Sequence, residues 1–339
     1  MKIETPSLLQ GSALTARHSI LCAVLGVLCF ARCAFAATQE TKVYRIGVIH
    51  QGGPYQAVVD GFRSGLKELG FEEGKKISLQ VRDTKNDANI IEEAAKTLER
   101  DKVNLIYAIT TSAVVPVKNA TSKTPIVFAV GTDPVASGLV HSFAKPGGRL
   151  TGVQYSTTDL TAKRLEILKE ILPKLNRVLI LYNPNNPSSR EAAELARKAA
   201  QQFRIQLIDR QASSVDELRQ QLETIKAKEV DAFFYISDAM VNGHAHLIIG
   251  MARRNNLPTM FSEQTIVAMG GLASYGQNVQ EVGRLSAAYV QKIISGAQPR
   301  DLRIEIVDKL ELVLNLNTAK EMGLTIPPNV LARADRVIR

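Results

Sequence analysis

The sequence contains no tryptophan, and aromatic residues make up only 5% of its 339 positions. A flat ring on a ligand therefore has few stacking partners, chiefly the tyrosines at or near strand ends: Tyr55, Tyr155, Tyr182, Tyr235 and Tyr275. Cysteine is confined to Cys22, Cys29 and Cys33, so the chain beyond them offers neither a thiolate metal site nor a cysteine nucleophile. Histidine is nearly as scarce. His244-Ala-His246 has the look of a metal pair, but no third imidazole lies near, and a site needs three or four converging ligands. Glycine-rich phosphate loops and the G-x-S-x-G elbow are missing after every candidate strand, and Gly147-Gly148 falls between repeats instead of at a strand–helix turn. These absences argue against an enzyme: no catalytic residue, metal ligand or cofactor is expected.

What is present begins with an N-terminal leader. Lys2, Arg17 and His18 precede the apolar run Ile20–Ala31, and Ala34-Phe35-Ala36 follows as a small-residue cleavage site. Residues 1–36 thus read as a secretory signal peptide, the run being too short to span a bilayer. Export to the periplasm is the expectation. The net charge of +9 falls to about +7 once this leader is removed. The remaining charges are scattered with no basic block, so a solvated surface is expected and a nucleic-acid partner is not. With 45% hydrophobic and 22% charged residues, the rest is an ordinary globular chain able to bury a core without disulfides.

From Lys42 strand and helix patterns alternate. Val43–Ile49 reads as a strand, and Val58, Val59, Phe62, Leu66 and Leu69 recur at helical spacing before Gly70. Strands follow at Ile77–Val81, Leu105–Ile109 and Pro125–Val130, with a helix from about Asn89 to Arg100. After Pro146–Gly152 the alternation restarts: a helix at Asp159–Leu172, then strands at Arg177–Tyr182, Ile205–Ile208, Ala232–Ile236 and Pro258–Phe261. Ser188 and Glu191 have the spacing of a capping box for the helix ending near Phe203. The fold class predicted is α/β, with two Rossmann-like lobes built on parallel sheets. Residues 43–152 plus about 275–300 would form the first lobe. Residues 153–274 plus about 301–325 would form the second, leaving 326–339 as a C-terminal tail.

In open parallel sheets ligands bind beyond the carboxyl ends of the strands. That rule selects Gln51 and Tyr55, Thr111 and Ser112, and Gly131, Thr132 and Asp133 in the first lobe. In the second it selects Asn183, Asn185, Asp238 and Glu263. Tyr155 and Tyr275 join them as candidates for a ligand's side chain. Most of these loops open into helix N-termini, where N–H groups favour a carboxylate. Asp133, Asp238 and Glu263 could accept from an ammonium, so an α-amino acid or similar zwitterion suits the set. Ser, Thr, Asn and Asp also cap helices and form turns at such places, and Asp133-Pro134 is a favoured opening for a type I turn.

The order of several motifs carries a resemblance. Asp60-Gly-Phe-Arg-Ser-Gly-Leu-Lys-Glu-Leu-Gly70, Thr124–Pro134, Ser137-Gly-Leu-Val140, Pro146-Gly-Gly148, Leu181-Tyr-Asn-Pro184, Leu257-Pro258 and Asn315–Ala319 with Gly323–Pro327 recur together. Over nearly its whole length the chain resembles the periplasmic substrate-binding proteins of ABC transporters, and more narrowly the group that includes tryptophan- and tyrosine-binding receptors. Arg149, where an asparagine is usual, and the glycine-rich Gln51-Gly-Gly-Pro54 are departures, both expected at the cleft. The resemblance implies a type I two-lobed fold with three interlobe crossings, near Thr151–Gln154, Ser274–Gly276 and Pro299–Leu302. It implies a monomer that closes on a small ligand and delivers it to an ABC permease in the inner membrane. An orphan receptor feeding a sensor kinase is the alternative. A sugar-repressor-like regulator is a weaker one, since its DNA-binding helices would occupy the place of the leader.

Overall fold

Strand β3 (Leu105–Ile109) and strand β4 (Ile126–Val130) read LIYAI and IVFAV, and all ten residues are buried. Runs apolar on both faces belong at the centre of a sheet covered by helices on both sides. The computed structural model describes residues 42–85, 87–155, 157–226 and 228–339, of which Val43–Arg339 form one compact unit. The expected signal peptide lies outside the described residues. Among those described, no helix is long and apolar enough to cross a membrane.

The first lobe runs β1 (Tyr44–His50), α1 (Gln56–Glu68), β2 (Ile77–Asp83), α2 (Ala88–Arg100), β3, α3 (Thr111–Ala120), β4 and β5 (Leu150–Tyr155). The second runs α4 (Thr161–Ile171), β6 (Arg177–Tyr182), α5 (Pro187–Phe203), β7 (Gln206–Gln211) and α6 (Val215–Glu223). It continues through β8 (Ala232–Phe234), α7 (Ala239–Gly243), α8 (Ala245–Arg254), β9 (Thr259–Phe261), α9 (Gln264–Ala268) and β10 (Ala273–Gln277). Then come α10 (Val279–Ile294), β11 (Glu305–Val307), β12 (Leu310–Asn315), α11 (Leu316–Glu321), α12 (Pro328–Leu331) and β13 (Arg336–Ile338). The strands form two sheets, ordered β11-β5-β4-β3-β1-β2 and β13-β12-β10-β9-β8-β6-β7. All pairings are parallel except that of β12 with β10, which is antiparallel.

Helix α10 returns to the first lobe because small residues let it approach α1. A Cβ on Gly61 would strike the backbone of Gln280, and one on Gly283 the backbone of Val58. Strand β11 also belongs to the first sheet, pairing in parallel with β5 from Glu305↔Val153 to Val307↔Tyr155. This departs from the assignment of 301–325 to the second lobe; an edge left open by β5 gives β11 its backbone partners. The segment expected as a C-terminal tail contributes β13, which pairs with β12.

Changes of sheet fall later in the chain than the sequence suggested. Thr151–Gln154 and Ser274–Gly276 lie inside β5 and β10, and the chain leaves those sheets after Tyr155 and Gln277. Pro299–Asp301 is a short 3-10 turn held to the first lobe, where the Thr151 hydroxyl donates to the Leu302 carbonyl at 2.8 Å. The chain changes sheets again after Val307. The capping box is likewise displaced. Asn186 caps α5 by accepting from the Ser188 N–H at 3.1 Å, with Pro187 at the first helical position that suits a residue without an N–H.

Candidate functional site

The carboxyl ends of both sheets face one cleft. Thr110, between β3 and α3, caps the helix at φ +83°, an unusual conformation for a β-branched residue. It is held by its own bonds: its hydroxyl donates to Gln51 Oε1 at 2.6 Å and accepts from the Ala113 N–H at 3.3 Å. This arrangement presents the N-terminus of α3, with Thr111 and Ser112, to the cleft. Thr111 Oγ1 lies 2.7 Å from Thr132 Oγ1 on the next loop. Opposite, Asn186 and Ser188 bring the N-terminus of α5 to the same space.

The space has two parts. An inner chamber of about 40 Å³ is lined by Tyr55, Tyr155, Tyr235, Glu263 and the hydroxyls of both helix starts. That volume suits about one water, well below the usual range for a small-molecule site. An outer groove of about 670 Å³ lies against Gln51, Asp133, Asn183, Asn185, Asp238 and the face of α3 at Val115 and Pro116. Thr111, Ser112, Thr132, Asn186 and Ser188 line both.

The two lobes touch across this cleft. Thr157 Oγ1 donates to the Gly131 carbonyl at 2.9 Å and lies 2.8 Å from Ser237 Oγ of the second lobe. Ala239 from α7 packs into the core of the first lobe. The glycine-rich loop after Gln51 also meets α7, as a Cβ on Gly53 would lie 2.5 Å from the Gly243 carbonyl oxygen.

Of the thirteen sequence candidates, twelve line one part of the cleft or the other: Gln51, Tyr55, Thr111, Ser112, Gly131, Thr132, Asp133, Tyr155, Asn183, Asn185, Asp238 and Glu263. Tyr275 does not. Its side chain packs against the helix-covered core of the second lobe, because its place in β10 points it to that face. Tyr182 also points away, its hydroxyl accepting from Arg197 Nη2 at 2.9 Å and Gln211 Nε2 at 3.0 Å. Arg149 stands apart from the cleft. Its guanidinium donates to the carbonyls of Lys118, Thr121 and Thr124 at 2.6, 2.7 and 2.8 Å, closing the C-terminal end of α3. Among the described residues no group of three or more His, Cys, Asp or Glu could hold a metal.

The three carboxylates differ in what they bind. Asp133 Oδ1 accepts from the Val135 and Ala136 N–H groups at 2.7 and 3.1 Å, fixing the turn. Asp238 is buried and accepts from Ser189 Oγ at 2.5 Å, Asn183 N–H at 2.9 Å and Val241 N–H at 3.0 Å. Burial raises its pKa, while those bonds pull the other way. Glu263 stands at the N-cap of α9 without capping it, and its Oε2 has no hydrogen-bond partner among the described residues. Burial pushes its carboxyl up to about 7, against the Asn242 amide and the Arg164 charge. Burial likewise pushes the phenols of Tyr55, Tyr155 and Tyr235 well above their ordinary value, so all three stay neutral donors.

Sequence reasoning missed Thr157, Asn186, Ser188, Arg164 and Asn242. Arg164 carried a signal, since it sits one helical turn before Leu168 on the buried face of α4.

Comparison with known proteins agrees with this architecture. The sequence profile of the family described as ABC transporter substrate binding protein matches residues 45–338. A tyrosine-binding protein of Clostridioides difficile (strain R20291) is 27% identical over 265 residues, covering 78% of this chain and 76% of that protein. The crystal structure of an ABC domain in complex with L-Trp from Streptococcus pneumonia superposes with a TM-score of 0.79 at 24% identity, over 88% of this chain and all of the other. The ligand-free, open structure of a substrate-binding protein with adhesive properties from Clostridium difficile gives 0.60 at 26% identity, over 87% and 99%. Members of this family bind small ligands and work with ABC transporter permeases; they are not enzymes. With a two-lobed α/β fold, a cleft between the carboxyl ends of two sheets, and a profile match over most of its length, the chain belongs to the ABC transporter substrate-binding proteins.

Proposed function

We propose that this protein is the extracytoplasmic receptor of an ABC importer and binds an α-amino acid with a large side chain, of the tyrosine kind, between its lobes. The observation that carries the reading is the convergence of two helix N-termini, α3 from one lobe and α5 from the other, on a chamber floored by three buried tyrosines. Helix N-termini and their hydroxyls suit a carboxylate, and the tyrosine rings suit a flat or apolar side chain. The 27% identical tyrosine-binding relative supports the ligand class.

An inner chamber of about 40 Å³ cannot admit such a molecule unless the lobes part. The segments after Tyr155, Gln277 and Val307, where the chain changes sheets, are the hinges for that motion. The greater likeness to an L-Trp complex than to an open, ligand-free structure supports a closed arrangement here. The mature protein works as a monomer in the periplasm after removal of residues 1–36, and delivers its ligand to the permease.

A thermal-shift screen of the mature protein against the twenty amino acids tests this reading. A ligand at 100 times its dissociation constant adds about 2.7 kcal/mol of stability. L-tyrosine or a close analogue is expected to give the largest shift. A protein refolded free of co-purified ligand that responds to no amino acid contradicts it.

A further inference from the structure

The cleft floor holds a buried carboxyl with one oxygen left unbonded among the described residues. Two of the three candidate carboxylates are engaged within the protein: Asp133 by its own turn, Asp238 by Asn183, Ser189 and Val241. Glu263 is only 3% exposed, lines the inner chamber, and leaves Oε2 unbonded. Behind it Arg164 is fully buried. Arg164 Nη2 donates to the Thr157 carbonyl at 2.5 Å, while its Nε and Nη1 have no partner among the described residues. Unpaired buried polar atoms each cost folding free energy, and native proteins hold few. Their concentration around one chamber marks a place where something else supplies the bonds.

The groups facing Glu263 decide what that partner is. Tyr55 comes from the turn before α1, Tyr155 from β5, Tyr235 from the residue after β8 and Asn242 from α7, where Asn242 lies near Glu263 but outside hydrogen-bond geometry. The nearest cation is Arg164, which reaches Glu263 through charge and not through a bond. On the chamber side no cationic side chain lines the walls among the described residues. A carboxylate with a neutral wall in front and a cation behind is built to accept from a cationic donor arriving through the chamber.

We propose that Glu263 is the specificity-determining group that reads the ligand's ammonium, and that Arg164 is its positioning residue. This rests on the amino-acid reading above and names the half of the zwitterion that the helix N-termini do not serve. Because Arg164 is bonded to Thr157, in the segment where the chain first changes lobes, the group that supports Glu263 also braces a hinge. Ligand binding then converts the carboxyl to its charged form and releases a proton to solvent. The other end of the zwitterion lies against the hydroxyls shared by the chamber and the groove.

The test compares L-tyrosine with its des-amino analogue, 3-(4-hydroxyphenyl)propionic acid, by calorimetry on the wild-type protein. L-tyrosine is expected to bind at least 100-fold more tightly. Titrations at pH 7 in two buffers of different ionisation enthalpy are expected to show release of about half a proton, falling towards zero by pH 8.5, as a carboxyl near 7 requires. Glu263→Gln should lose most of the preference for the amine while melting cooperatively. Arg164→Lys should keep binding but move the pH at which proton release is half complete. Equal affinities for the two compounds with no proton release overturn the assignment while leaving the amino-acid reading intact. Failure of all twenty amino acids to bind overturns both.

Discussion

Gly53 of the first lobe and Gly243 of the second are in backbone contact, with the Gly243 carbonyl oxygen where a Cβ on Gly53 would stand. A Cβ on Gly243 would in turn lie 2.9 Å from the Gln51 carbonyl oxygen. The seam therefore measures how far the lobes can close. Gly53 also sits at φ +53°, so a side chain there strains the loop as well. Gly243→Ala isolates the steric effect. An extra methyl in a tight contact costs about 1–3 kcal/mol, so L-tyrosine should bind roughly 5- to 150-fold more weakly. Small-angle scattering should show a smaller compaction on adding it. Unchanged affinity and compaction would show that the seam opens without consequence.

Glu263 links binding to stability. Its carboxyl titrates at about 7 in the folded protein against an ordinary 4.5. Folding favours its neutral form, so this contribution is complete below about 4.5 and is lost as pH rises through about 7. Glu263→Gln removes the loss. At pH 8 the ligand-free variant should be more stable than wild type by about 3 kcal/mol, with little difference at pH 4.5. Urea unfolding at the two pH values checks this, and a variant equally destabilised at both would contradict it.

Asp238 is expected to behave as a structural residue. Its carboxylate ties the Asn183 loop to the starts of α5 and α7. Asp238→Ala takes the acceptor from the Asn183 and Val241 N–H groups, leaves Ser189 only its bond to the Ser237 carbonyl, and should cost about 2–4 kcal/mol in denaturant unfolding. Loss of L-tyrosine affinity with full stability would show instead that Asp238 serves the ligand directly.

Arg149 should be silent in binding. Arg149→Asn removes three bonds to the carbonyls at the end of α3 and should lower stability by about 1–3 kcal/mol. Calorimetry with L-tyrosine should give an unchanged dissociation constant. A tenfold change would put the residue back at the cleft, where the sequence had suggested it.

The alternation of apolar strands and amphipathic helices determined the α/β class, since each strand needs helices on both faces. The same pattern located the cleft loops, because polar residues immediately after a buried strand can only lie at the sheet's carboxyl end. Asp133 is a local case: Asp before Pro builds its turn from neighbours two and three residues away, and that turn is present. Tyr275 shows where periodicity stops. One residue of register sends a strand side chain to the opposite face, and the register of β10 is set by β9 and β12.

Which carboxylate was left unpaired could be decided only by tertiary structure. Asp238 is engaged by Asn183 and Ser189, residues 55 and 49 positions away in sequence, and no local spacing announces those bonds. Glu263, alike in chemistry and also at a strand end, lines the chamber with Tyr55 and Tyr155, feels the Arg164 charge, and has no such donor at its Oε2 among the described residues. The sequence supplied three acceptors at the right ends of the right strands. A local turn satisfied Asp133 and long-range packing satisfied Asp238, while the third was left facing the chamber.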